Sequence, residues 1–219
     1  MTDQLRPGVL FDVDGTLADT NYLHTIAWSR ALRDEWAPMN AIHRLIGMGG
    51  DQLVPELLGH SSPNATEARP GRYKELMGDV RIYPGAHDLL WRIHDEGVAV
   101  VLATSAPQGE LAPLLELLAA DAAIDATTTA DDVGSSKPSP EVFLSAMRVG
   151  NIDPERAFAV GDSIWDIQSA RAAGIGCVGV ETGGFSQHEL GEAGALRVYR
   201  DVQEMLDQIL TGPLRSLIG

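Results

Sequence analysis

Cysteine is almost absent: Cys177 stands alone in 219 residues. An intramolecular disulfide framework is therefore excluded, and such usage leans towards a cytoplasmic chain. Cys177 sits in an apolar stretch and reads as a small core residue. No run approaches the ~20 consecutive apolar residues that cross a bilayer, so no membrane partner is expected. Met1 to Pro7 is polar and leads straight into a short apolar segment, without the apolar centre of a secretory leader. Basic residues are also scarce: 16 Lys and Arg against 31 Asp and Glu give a formal net charge of −15. A nucleic-acid surface needs a basic stripe for phosphate contacts, and this composition argues against one. The same charge repels anions at long range, so any anionic ligand has to be held by local positive potential. Internal repeats and low-complexity tracts are missing as well.

What is present is a sequence of alternating patterns, 44% apolar and long enough to bury a sizeable core. Val9-Leu10-Phe11 is a short apolar run ending in Asp12-Val13-Asp14-Gly15, a buried strand entering a turn. From Asp19 to about Asp34 the pattern is helical, with Asp19 or Thr20 as cap and Leu23, Ile26, Ala27 and Ala31 near one face. Residues 38–80 are broken by Pro38, Gly47, Gly49-Gly50, Gly59, Pro63 and Pro70-Gly71, and read as short helices with loops. No strand-like run lies between 17 and 81. After Pro84-Gly85, helix 86–96 precedes strand 98–103, helix 107–119 and a weak strand around Ile124. Helix 140–149, strand 157–160, helix 164–173, strand 176–180 and helix 201–210 follow, with Thr182-Gly183-Gly184 as a turn. Apolar strands alternating with helices predict an α/β fold with a doubly wound, Rossmann-like parallel sheet. The helical stretch interrupts that order just after the first strand. It reads as a small cap, residues 18–80, inserted into a core of residues 1–17 and 81–219.

Ligands of open parallel sheets bind at the carboxyl ends of the strands. Polar residues stand after four strands: Asp12 and Asp14 after the first, Thr104-Ser105 after the second, Lys137-Pro138 after the third, and Asp162 with Asp166 after the fourth. Two of these pairs have a plainer reading, since Thr104-Ser105 and Ser163-x-x-Asp166 also suit helix starts. In chain order, Phe11-Asp-Val-Asp-Gly-Thr-Leu17, Ala103-Thr-Ser105, Ser136-Lys-Pro-Ser-Pro140 and Val160-Gly-Asp-Ser-Ile-Trp-Asp166 resemble the haloacid dehalogenase-like hydrolase superfamily. The likeness is nearest to its phosphatase branch with a small helical cap.

That resemblance implies a hydrolase of small phosphate monoesters with Asp12 as nucleophile and Asp14 as general acid and base. It further implies Mg²⁺ as cofactor, held by Asp12, the Asp14 carbonyl and Asp162, with Asp166 either a ligand or a support behind them. Gly15 would let the turn approach the phosphate, Thr104 and the Ser105 amide would grip it, and Lys137 would offset the carboxylates. The alternative is a phosphosugar mutase of the same superfamily. Relatives of that kind carry an acidic residue where this chain has Gly161, which favours hydrolysis. Dehalogenation and phosphonate cleavage fit the acid at position 14 less well. Cap residues with a possible substrate role are His24 and the cations Arg44, Arg69, Arg72 and Lys74; the remaining histidines show no metal-ligand spacing. No motif names the substrate or an oligomeric state.

Overall fold

A computed structural model describes residues 5–218. Strand β1 (Arg6–Phe11) leads into four helices: α1 (Asn21–Ala31), α2 (Met39–Arg44), α3 (Gly50–Leu58) and α4 (Pro63–Lys74). The chain then alternates through α5 (Ala86–Asp95), β2 (Ala99–Ala103), α6 (Gln108–Leu118), β3 (Ala126–Thr128), α7 (Glu141–Val149) and β4 (Ile152–Gly161). It ends with α8 (Ile164–Ala172), β5 (Gly176–Val180), α9 (Gln187–Ala193), β6 (Arg197–Tyr199) and α10 (Val202–Asp207). The six strands form one sheet in the order β3-β2-β1-β4-β5-β6, and every pairing is parallel. This is the doubly wound, Rossmann-like α/β architecture.

Side chains alternate across a strand, so each central strand feeds two cores. Val9 and Phe11 of β1 pack with Leu89, Leu90 and Ile93 of α5 and with Met205 of α10. Leu10, between them, faces Val142, Phe143 and Ala146 of α7 and Ile167 of α8. A β1 side chain thus finds a helix on either face, which is why the run is continuously apolar. Fully burying residues such as Leu10 or Phe11 contributes about 1.5–3 kcal/mol each.

The four helices after β1 carry an apolar cluster of their own, in which Trp28, Leu32, Ile42, Leu53, Val54 and Ala65 meet. Helix α4 continues through Pro70-Gly71, where the sequence reads as a break. Its Ala65 and Tyr73 are buried against α1 residues, and that packing outweighs the one lost amide bond. Thr20 starts α1 without a side-chain cap bond; its hydroxyl donates instead to Asp14 Oδ1 at 2.7 Å. Three other readings shift. The weak strand expected around Ile124 lies at Ala126–Thr128, and β4 starts at Ile152, five residues before the apolar run. Helix α9 and edge strand β6 occupy a stretch with no expected element.

Candidate active site

The strand order reverses between β1 and β4, and their carboxyl ends open onto the crevice where such sheets bind ligands. Asp12 follows β1, its amide bonded to the Val160 carbonyl at 2.9 Å, and Asp162 follows β4. Carboxylate oxygens of Asp12, Asp162 and Asp166, all buried, lie within 4.8 Å of one another. Lys137 is 0% exposed and reaches them from the loop before α7. Its Nζ lies 2.5 Å from Asp12 Oδ1 and 2.8 Å from Asp166 Oδ1.

Asp166 caps a helix and also faces Lys137. Its Oδ2 accepts from the Ser163 amide at 3.1 Å and the Ser163 hydroxyl at 2.5 Å, a reciprocal cap that starts α8. Its other oxygen faces Lys137. Asp162 is held by the Asn21 amide at 2.7 Å and the Thr16 hydroxyl at 3.0 Å. Gly183 sits so close that a Cβ there would be 1.8 Å from Asp162 Oδ2, so the turn at 182–184 packs directly against Asp162.

Three buried carboxylates share one ammonium. Burial pushes the Asp12 carboxyl well above the usual range; Lys137 opposes this, while Asp166, Asp162 and Asp14 add to it. Asp162 is pushed up to about 7, first by burial and then by Asp166, against the bonds from Asn21 and Thr16 and the charge of Lys137. Burial would discharge Lys137, but Asp12 and Asp166 outweigh it and hold the amine protonated. A divalent cation with a taste for oxygen ligands would relieve this excess of negative charge, and Asp12 and Asp162 offer the oxygens. The donor set therefore fits Mg²⁺.

Asp14 belongs to a different network, and its side chain stands outside the three-carboxylate cluster. Any hold it has on a metal is left to its backbone. Its Oδ1 receives the Thr20 hydroxyl and lies 2.8 Å from His24 Nε2, and its Oδ2 receives the Thr104 hydroxyl at 3.3 Å. Burial opposes ionisation here, but His24, Thr20 and Arg69 prevail and hold the carboxyl at about 2. Arg69 also bonds His24 Nδ1. A guanidinium only donates, so Nδ1 is the acceptor and Nε2 carries the proton given to Asp14.

Gly15 separates the two aspartates from the α1 start with φ +81°, and a Cβ there would be 2.3 Å from Asn21 Nδ2. Thr104 is buried at the end of β2; its hydroxyl accepts from the Ala106 amide at 3.0 Å rather than capping α6, whose N-terminal neighbour is Pro107. The buried Ser105 hydroxyl has no hydrogen-bond partner among the described residues. Asp12, Asp14, Thr104 and Ser105 line one cavity of about 180 Å³, roofed by Trp28, Met48 and Arg69. Lys137, Asp162 and Asp166 lie against its Asp12 wall.

Sequence reasoning missed Thr16, Thr20 and Asn21 as partners of the acids, and Glu110 as partner of Arg69. Thr16 stands inside the first motif and Thr20 at a helix start, so both carried a local signal. Asn21 and Glu110 carried none, because their partners lie 141 and 41 residues away. Of the candidate cations, Arg69 alone lines the cavity among the described residues. Arg44 instead pairs with Glu189 at 2.6 Å and Arg72 with Glu75 at 3.1 Å.

Residues 9–180 match the family described as haloacid dehalogenase-like hydrolase. A phosphoglycolate phosphatase of Rhodospirillum rubrum is 30% identical over 91% of this chain and 89% of its own length. Protein CbbY of Cereibacter sphaeroides is 30% identical over 83% of this chain and 86% of that protein. The crystal structure of a hydrolase from Pseudomonas syringae superposes with a TM-score of 0.88, at 33% identity over 93% of this chain and 98% of that one. The chain belongs to the haloacid dehalogenase-like hydrolases.

Proposed function

We propose that this chain, a phosphatase of the haloacid dehalogenase-like hydrolases, cleaves a small organic phosphate monoester through an aspartyl-phosphate on Asp12. The observation that carries the reading is the pairing of two unlike carboxylates at one strand end. Asp12 is buried beside Lys137 and the other acids, whereas Asp14, two residues on, is bonded to Thr20, His24 and Thr104. Unlike environments suit unlike tasks.

Asp12 attacks phosphorus as its P–O bond to the leaving group breaks, and the departing oxygen takes a proton from Asp14. Water then gives a proton back to Asp14 and attacks the same phosphorus, releasing phosphate and restoring Asp12. The contacts to His24 and Thr20 hold Asp14 as the carboxylate the second half needs. An incoming phosphate dianion raises its proton affinity for the first half. Thr104, Ser105 and Lys137 hold the phosphoryl oxygens, and Asp166 positions Lys137. Asp12, Asp162 and the Asp14 carbonyl are the residues that would hold Mg²⁺. The ion, when bound, supplies charge neutralisation for the phosphoryl group and keeps Asp12 ionised.

The helices of residues 18–80 act as the cap. Trp28, Met48 and Arg69 stand over the cavity, and closure excludes bulk water from the intermediate. The family likeness and the small cavity support this reading. Gly161 supports hydrolysis over the mutase alternative: a Cβ there would be 2.4 Å from Asp166 Cβ, so no acidic side chain fits as packed. The test is a screen of phosphate esters for Mg²⁺-dependent phosphate release, with Asp12→Asn as the blank. Release that is equal in the blank overturns the proposal.

A further inference from the structure

Arg69 is the one lysine or arginine among the described residues that line the cavity; both its terminal nitrogens are engaged, and its Nε is buried without a partner among the described residues. It projects from α4, and its guanidinium pairs with Glu110 of α6 and bonds His24 Nδ1. Its carbon centre lies 5.0 Å from the Tyr73 ring centroid and 5.7 Å from that of Trp28, so aromatic faces flank it. Both partners of the ion pair are close to 90% buried, with side-chain exposures of 11% and 10%. A buried charge is stable only when paired, so Glu110 cannot surrender Arg69 without being left as an uncompensated anion.

The charge left for a substrate follows from that pairing. Near Asp12 the ammonium of Lys137 faces the carboxylates, and a divalent ion held by Asp12 and Asp162 would offset the rest of their charge. On the leaving-group side Arg69 and Glu110 form a pair with no net charge. Most of the remaining wall is apolar, with Trp28, Ile46, Met48, Pro70 and Pro107, and Thr66 and His24 are its uncharged polar members. A cavity of about 180 Å³ is also smaller than the ~300–1,000 Å³ of drug-sized ligand sites.

We infer that Glu110 is a specificity-determining residue: by neutralising Arg69 it restricts the site to short monophosphate esters whose leaving group is uncharged, and it rejects esters with a second anionic group. The inference rests on the phosphatase reading above and narrows its substrate class. It sets this chain apart from its phosphoglycolate phosphatase relatives, since phosphoglycolate carries a carboxylate beside its phosphate.

The matched probes are phosphoglycolate and glycolamide phosphate, which differ only in a carboxylate replaced by its uncharged amide. The native protein should favour the amide in kcat/KM by ~10-fold or more, because the second anion finds no free cation. Glu110→Gln frees Arg69 and should move the ratio of the two substrates towards the acid by ~10-fold or more. Glu110→Asp keeps the charge and should keep the native preference. A merely structural role for Glu110 would depress both substrates alike and leave the ratio still. The inference is overturned if the native protein takes the acid as well as the amide, if the ratio stays fixed in Glu110→Gln, or if neither ester reacts while nitrophenyl phosphate does. Should Glu110→Gln not fold, the native ratio and Glu110→Asp still decide. A native protein that hydrolyses no ester at all, nitrophenyl phosphate included, overturns the phosphatase reading itself.

Discussion

Lys137→Met removes the ammonium from the centre of the acid cluster while keeping a side chain of similar length. In the native protein that ammonium is wholly buried, 2.5 Å from Asp12 and 2.8 Å from Asp166. The variant leaves buried carboxylates without their counter-ion, and breaking a buried pair in this way costs about 3–5 kcal/mol. A chain of 219 residues loses roughly 2–4 °C of Tm per kcal/mol, so the melt should fall by about 6–20 °C in metal-free buffer. The deficit should also depend on pH. Lys137 is held protonated in the fold, so it stays charged at and below neutral pH and its own contribution is flat there. The acids behave otherwise: their folded-state pKa values are raised, and stability falls as pH rises above the unfolded carboxylate range. Without the ammonium that fall steepens, so the gap between variant and native protein should be larger near pH 8 than near pH 5. Calorimetry at the two pH values, in buffer freed of divalent ions, measures it. A variant melting within about 3 °C of the native protein at both pH values would refute the electrostatic account of the cluster.

Two further outcomes follow from the same site. The Asp162 carboxyl, pushed up to about 7, must release its proton to take a metal, so the rise in Tm on adding Mg²⁺ should grow from about pH 5.5 to about pH 8. A Tm increment that is the same across that range contradicts a role for Asp162 in holding the ion. Gly49→Ala places a Cβ 2.2 Å from Ser136 Oγ, against a loop that also receives Asp51 and Gln52 of α3. Overpacking of this kind costs about 1–3 kcal/mol, and hydrogen exchange at residues 135–137 should quicken. Unchanged exchange there would show that the cap does not bear on this loop.

The sheet was legible wherever apolar runs were long. Val98 to Ala103 and Gly176 to Val180 announce β2 and β5 because both faces of those strands are covered. Edge strand β6 has only three residues, with Arg197 and Tyr199 at its ends, and nothing in that run marks a buried ladder. Helix α9 was missed for its polarity, though Ser186 and Glu189 form a reciprocal cap that the sequence spells out. In the site, Asp12, Thr104 and Asp162 converge as their strand ends require, because each follows an apolar strand that fixes its place in the sheet, whereas Lys137 comes from the loop before α7. The support behind them was less visible. Asn21 on Asp162 and Glu110 on Arg69 are pairings between distant elements, which only the folded chain brings together.

The central claim is that Asp12 accepts the phosphoryl group and Asp14 handles the protons. Asp14→Asn keeps the nucleophile but removes the acid and the base, a loss on the order of 10²–10⁴-fold in turnover. With nitrophenyl phosphate, whose leaving group needs little protonation, the first step should partly survive and the second should stall. Acid-quenched Asp14→Asn given labelled substrate should therefore carry label on the peptide containing Asp12, and Asp12→Asn should carry none. Label on Asp12→Asn, or on Lys137 or a histidine in either variant, would contradict the account.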